Sequence, residues 1–107
     1  MEKDKSLEGT LQKFKDCIPL FDVLADEHRQ TIIMILAKEK EGLNVNLIAE
    51  KMILSRPAVS HHLKVLKQVR IIDVRKEGTE NIYYLTLKPA IEKIKHFLSS
   101  IENTCGL

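Results

Sequence analysis

The reading of this chain turns on Ser55-Arg56-Pro57-Ala58-Val59-Ser60-His61-His62-Leu63-Lys64-Val65-Leu66-Lys67-Gln68-Val69-Arg70. Serine two residues ahead of a proline marks a helix start. Its hydroxyl can accept one of the backbone N–H groups that the first turn leaves free, and proline has no N–H to lose there. At about 100° per residue, Arg56, Pro57, Ser60, His61, Lys64, Lys67 and Gln68 share an arc of roughly 140°. Ala58, Val59, His62, Leu63, Val65, Leu66 and Val69 fill the other side. One face is therefore apolar apart from His62, and the other offers cations and hydrogen-bond donors.

Working outward, Asn46 is positioned to cap a short helix over 47–52, and Ile53-Leu54-Ser55 supply a three-residue turn into the long helix. Helix, tight turn, helix over about 46–70 is the helix-turn-helix pattern. Downstream, residues 71–76 and 81–86 are rich in Ile, Val, Tyr and Thr. They flank Glu77-Gly78-Thr79-Glu80, so a β-hairpin is expected over about 71–86. Upstream, Asp26 is placed to cap a helix running to about residue 40 and closed by Gly42. Its Ile32-Ile33-Met34-Ile35-Leu36-Ala37 run is apolar on nearly every side, which predicts a central place in the core. Leu43-Asn44-Val45 reads as a small strand.

At the two ends, Leu7, Leu11, Phe14, Ile18 and Phe21 repeat at helical spacing over about 7–24, with Pro19 expected to break or kink the helix. Pro89 opens a closing helix over about 89–104, striped by Ile91, Ile94, Phe97 or Leu98, and Ile101. The order predicts a single domain over 1–107, mainly α with a small β-hairpin: a winged helix-turn-helix with helical arms at both ends.

An exposed cationic helix after a tight turn suits the major groove of duplex DNA, which admits one α-helix. Ser55, Arg56, Pro57, Ala58, Ser60, His61, Lys64 and Lys67 are the expected helix contacts. Arg56, Ser60 and His61 are placed for base edges, and Lys64 and Lys67 for phosphates. In the hairpin, Arg75, Lys76, Gly78 and Thr79 form the expected wing contact, weakened by Glu77 and Glu80. His62, on the apolar side, is expected to pack rather than to read bases. Charge distribution agrees: residues 51–80 carry seven Lys/Arg against three Asp/Glu, a net of +4, inside a chain of net +2. Gathering positive charge in one segment fits a polyanionic partner.

Leu24-Ala25-Asp26-Glu27-His28-Arg29, the 55–66 stretch, Arg75-Lys76-Glu77-Gly78 and Tyr83-Tyr84-Leu85 together resemble the ArsR/SmtB family of bacterial and archaeal winged-helix repressors, over about residues 21–87. The resemblance implies a homodimer joined through the first and last helices. It also implies binding to an imperfect palindrome at a promoter, repression by blocking polymerase, and release by an inducer. Two departures concern metal. Where metal-sensing members carry a Leu-Cys-Val-Cys-type motif, this chain has Leu43-Asn44-Val45-Asn46, and asparagine is a poor ligand for thiophilic ions. The second family site needs an Asp-x-His pair on the closing helix, which here offers only Glu92, His96 and Glu102. No metal site and no cofactor are expected.

Cys17 and Cys105 are too few for a disulfide framework and are expected to be free thiols. They are also the only candidates for a redox switch, because the helices that carry them should pack together. A thiol-responsive repressor of the same fold is thus an alternative to a plain one, and two unrelated thiols are the plainer reading. Catalysis is not expected: no nucleophile–base pair, phosphate loop or convergent carboxylates occur in the sequence. A protein-binding adaptor of the same fold is a further alternative, disfavoured by the charge on helix and wing. No apolar run is long enough for a membrane span, and the charged Met1-Glu2-Lys3-Asp4-Lys5 leads into no signal-type stretch, so a cytoplasmic location is expected.

Overall fold

The computed structural model describes residues 2–107, with side chains from Ser6 onward, so the side chains of the charged first residues lie outside the description. The elements run α1 (Glu2–Asp16), α2 (Ile18–Leu24), α3 (Glu27–Lys38), α4 (Val45–Glu50), α5 (Arg56–Gln68), β1 (Ile72–Glu77), β2 (Glu80–Leu85) and α6 (Lys88–Cys105). This is the winged helix-turn-helix order.

The first apolar-striped segment is two helices, divided at Cys17. Pro19 sits in the first turn of α2, and its ring nitrogen cannot donate to the carbonyl of Lys15, so a continuous helix would lose that bond. Asp26 caps α3 as expected, its carboxylate accepting the Arg29 N–H at 3.1 Å. The short helix differs from expectation. Asn44, not Asn46, is the cap, accepting the Leu47 N–H at 2.8 Å, and α4 runs two residues earlier than 47–52. Asn44 wins because Leu43 is pinned as an isolated β-bridge to Tyr83, which leaves Asn44 extended and aimed at the next turn.

The core lies where α2, α3, α4 and α5 meet the root of the hairpin. Ile32, Ile48, Val59, Leu63, Leu66 and Ile71 are fully enclosed there. α3 is less central than its apolar run suggested. Ile32, Ile33 and Leu36 are buried, but Met34 is 59% exposed, because α2, α5 and β2 cover only one side of the helix.

β1 and β2 pair antiparallel from Ile72↔Leu85 to Glu77↔Glu80, leaving Gly78-Thr79 as a two-residue tip. Gly78 has φ +65° while Thr79 keeps a negative φ, the pattern of a type II′ turn. At the root, Leu43 and Tyr83 exchange both backbone hydrogen bonds, at 2.9 and 2.8 Å. A Cβ on Gly42 would lie 2.6 Å from the Tyr83 carbonyl oxygen, so the close approach requires glycine.

α5 ends in a Schellman motif. The Ile71 N–H bonds the Leu66 carbonyl at 3.1 Å and the Arg70 N–H bonds that of Lys67 at 3.0 Å. Arg70 holds the left-handed position of this motif, φ +60°, which normally favours glycine.

α1 and α6 pack antiparallel as an arm that stretches the molecule to 56 × 25 × 20 Å. Phe14 and Phe21 close on Phe97, with ring centroids 4.4 and 6.1 Å away. Further out, the Thr10 hydroxyl bonds those of Ser100 and Thr104, so a buried polar cluster replaces apolar packing. Each helix has two unlike sides. Leu7, Leu11 and Phe14 of α1 and Ile91 and Leu98 of α6 stand 43–54% exposed on one, and Ile18 at the start of α2, 57% exposed, continues it. Lys13, Asp16, Lys93 and His96 occupy the other.

Candidate nucleic-acid interface

α5 divides along the line its sequence draws. Val59, Leu63 and Leu66 are sealed inside, with Ala58, Val65 and Val69 half-buried beside them. Arg56, Pro57, Ser60, His61, Lys64, Lys67 and Gln68 are all exposed. These seven line one side of a 13-residue helix whose far side is the core. Ser55 serves first as the cap, its hydroxyl accepting the Ala58 N–H at 3.3 Å. Ala58 turns a half-buried methyl partly inward, so of the eight helix contacts expected it offers the least surface.

The hairpin comes up beside the start of α5. Arg56, Asn44, Asn46, Thr79 and Asn81 face one another across a cleft of about 180 Å³. The start of α5 and the tip of the hairpin thus form a continuous surface. Within the wing, Lys76, Gly78 and Thr79 are exposed. Arg75 is not free in the same way. Its guanidinium donates to the Glu41 carbonyl, pairs with Glu77 at 3.4 Å and lies 5.4 Å from the centre of the Tyr84 ring. It therefore braces the hairpin against the turn that follows α3. Glu80 is likewise engaged, accepting from the Asn44 amide at 3.1 Å. Both wing carboxylates that weakened the expected contact thus have partners within the protein.

A polar latch holds α5 to α2 and α3. Arg29 donates through Nε to the Val23 carbonyl at 2.8 Å and through Nη2 to that of Asp22 at 3.4 Å, while Nη1 stands 3.4 Å from His62 Nδ1. His62 packs between His28 and His61, with ring centroids 5.8 and 5.9 Å away, in the inward place its helical position predicted. Partial burial lowers its pKa, outweighing the attraction of the Asp26 carboxylate. Asp26 is itself held below the usual carboxylate range, first by the Arg29 N–H it accepts and then by the nearby cations.

The two cysteines do not meet within the chain. Cys17 is fully buried, with its Sγ 3.8 Å from the Lys93 carbonyl, whereas Cys105 is exposed at the far end of α6. Twelve residues separate Lys93 from Cys105, about 18 Å of helix, and a disulfide needs Cα atoms within about 7 Å. A disulfide between them within one chain would need the arm to rearrange. Among the described residues no three His, Cys, Asp or Glu side chains gather as a metal site, and Asn44 is committed to its cap and to Glu80.

Sequence reasoning missed the Arg29 latch and the roles of Asn44 and Asn46 at the cleft. Of the Leu24–Arg29 stretch, the sequence shows Asp26 as a cap but gives Arg29 no role beyond the family pattern. An arginine three residues after an N-cap was the available signal, since such a side chain can reach back to the carbonyls that end the preceding helix.

Comparison with known proteins follows the same lines. The family model described as bacterial regulatory protein, arsR family, matches residues 26–74, the span from the α3 cap into β1. An uncharacterized HTH-type transcriptional regulator of Methanocaldococcus jannaschii is 34% identical over 85 residues, covering 79% of this chain and 94% of that protein. The transcriptional repressor SdpR of Bacillus subtilis is 32% identical over 89 residues, covering 78% and 94%. Among solved structures, the transcriptional regulator HlyU from Vibrio vulnificus superposes with a TM-score of 0.66 at 28% identity, over 87% of this chain and 95% of that one.

Proposed function

The chain belongs to the ArsR family of DNA-binding transcriptional regulators, and from that premise we propose that it is a cytoplasmic homodimeric repressor that lays α5 into the major groove of an imperfect palindrome. The observation that carries this reading is the continuous surface made by the outer side of α5 and the wing tip, joined at Arg56 across from Thr79 and Asn81. Arg56, Ser60 and His61, nearest the start of α5, read base edges. Lys64, Lys67 and the wing residues Lys76, Gly78 and Thr79 hold phosphates. Ser55, Pro57 and Ala58 shape the entry of the helix more than they read, and Arg75 supports the wing from behind.

The exposed apolar side of the α1–α6 arm supports dimerisation. Six large apolar side chains exposed on one side form the kind of patch that a second copy would cover. Two arms joined about a two-fold axis would present two α5 helices to successive turns of the major groove. The chemistry at Asn44 and Asn46, neutral amides where thiolates would be needed, supports a repressor without the usual family metal sites.

Fluorescence anisotropy with duplexes from the DNA flanking its own gene tests the proposal. Binding should be tighter on one palindromic duplex than on a scrambled one, and should weaken steeply with salt as counterions are released. Equal binding to both, with no salt dependence, would overturn it.

A further inference from the structure

We propose that the junction between α5 and the terminal arm holds an effector site for a small organic carboxylate, organised by Arg70 and Lys93; its regulatory meaning rests on the DNA-binding reading above. A cleft of about 370 Å³ opens there, within the size range of small-ligand pockets. Its floor is apolar, made by Leu20 of α2, Val69 at the end of α5 and Ala90 of α6. Its rim carries Asp16, Arg70 and Lys93. Among the described residues neither cation pairs with a carboxylate, and Asp16 is already accepting from the Gln12 amide at 2.9 Å. An apolar floor under two cations and one carboxylate, a rim of net positive charge, suits a carboxylate with an apolar body.

The backbone of Arg70 is the second observation. The position is left-handed, φ +60°, a conformation that a Cβ-bearing residue adopts at a cost relative to glycine. Strain kept at a residue with a long cationic side chain directs attention to what the side chain does. Here it caps the cleft at the point where the reading helix ends. The cleft also lies on the opposite side of α6 from the exposed apolar strip, since Lys93 is about 200° round the helix from Ile91. A second copy seated on Ile91 and Leu98 therefore leaves the cleft open. Occupancy would neutralise cations at the end of α5 and bind its last turn to α2 and α6, so DNA affinity and carboxylate affinity are coupled reciprocally.

Benzoate is the probe. Titrated into the 15N-labelled full chain, on the order of millimolar benzoate should shift the amides of Leu20, Val69 and Ala90 saturably. Arg70→Gly, which suits the left-handed backbone and so keeps the fold, should weaken that binding roughly tenfold, as losing a charge-assisted hydrogen bond does; Lys93→Gln should weaken it too. Saturating benzoate should lower operator affinity several-fold in the wild type and not in Arg70→Gly. Absent shifts at the cleft, or shifts unchanged in both variants, overturn the site. Cleft binding with unaltered operator affinity overturns the coupling. A chain that binds no DNA even without benzoate fails the function proposed above instead, and the amide shifts still decide the cleft.

Discussion

The guanidinium of Arg29 on α3 stands 3.4 Å from Nδ1 of His62 on α5, so α5 is tied to the end of α2 by one side chain. Arg29 can only donate, so this bond needs His62 Nδ1 without a proton. Adding that proton sets a cation against Arg29, and the lowered pKa of His62 reflects this after the larger effect of burial.

A pH dependence of stability follows. A histidine whose pKa is lower folded than unfolded takes up its proton first in the unfolded chain. Its stabilising contribution is therefore complete above the unfolded value of about 6.5 and is lost as pH falls through the folded value. Urea denaturation at stepped pH should show stability declining from about pH 6.5 downward, with a shallower decline in His62→Gln. Asp26, also lowered, contributes in the same direction only at much lower pH, below the ordinary carboxylate value of 3.8. Stability independent of pH between neutral and acid conditions would contradict the latch.

Arg56→Ala and His61→Ala should each cost about 1–3 kcal/mol on a specific duplex and little on a scrambled one, as lost base contacts do. Lys64→Ala should weaken both alike and lower the slope of log affinity against log salt by about 1. Anisotropy titrations at several salt concentrations check this. Equal losses on both duplexes would move Arg56 and His61 to the phosphates.

Gly42 and Gly78 both have positive φ, but only one is crowded. A Cβ at Gly42 would meet the Tyr83 carbonyl at 2.6 Å and Ile82 Cγ2 at 2.8 Å, whereas at Gly78 it meets nothing within 4 Å. Gly42→Ala should cost upwards of about 2 kcal/mol and Gly78→Ala about 1 kcal/mol. Thermal denaturation compares the two; equal losses would mean that the Gly42–Tyr83 approach is loose.

Leu98→Glu puts a charge into the exposed apolar strip while leaving the Phe14–Phe97 contact intact. Sedimentation velocity should report a dimer for the wild type and a monomer for the variant, with helical circular dichroism retained. A variant that stays dimeric would place the interface elsewhere.

How much of this was legible in the chain beforehand varied with the kind of interaction. The 55–68 face could be read residue by residue because helical geometry converts sequence spacing into direction, and the burial of Val59, Leu63 and Leu66 follows that arithmetic. The cap of α4 was misplaced by two residues because the deciding contact, Leu43 with Tyr83, joins segments forty positions apart. Arg75 and Lys76 looked equivalent as neighbouring cations. Strand alternation sends them to opposite faces, and only the Glu41 carbonyl and the Tyr84 ring reveal which one is occupied. Thr10 was invisible for a similar reason, since its partners lie at Ser100 and Thr104. Local periodicity was readable; pairings between distant segments were not.

The doubled hydrogen bond between Leu43 and Tyr83 has a mechanical consequence. It welds the hairpin to the link between α3 and α4, so the wing cannot swing on its own root. Any tilt imposed through the terminal arm must carry the hairpin and α5 together, as a single head. In the proposed dimer, the variable left for a signal to adjust is then the separation between the heads of two copies, measured against the fixed pitch of the double helix.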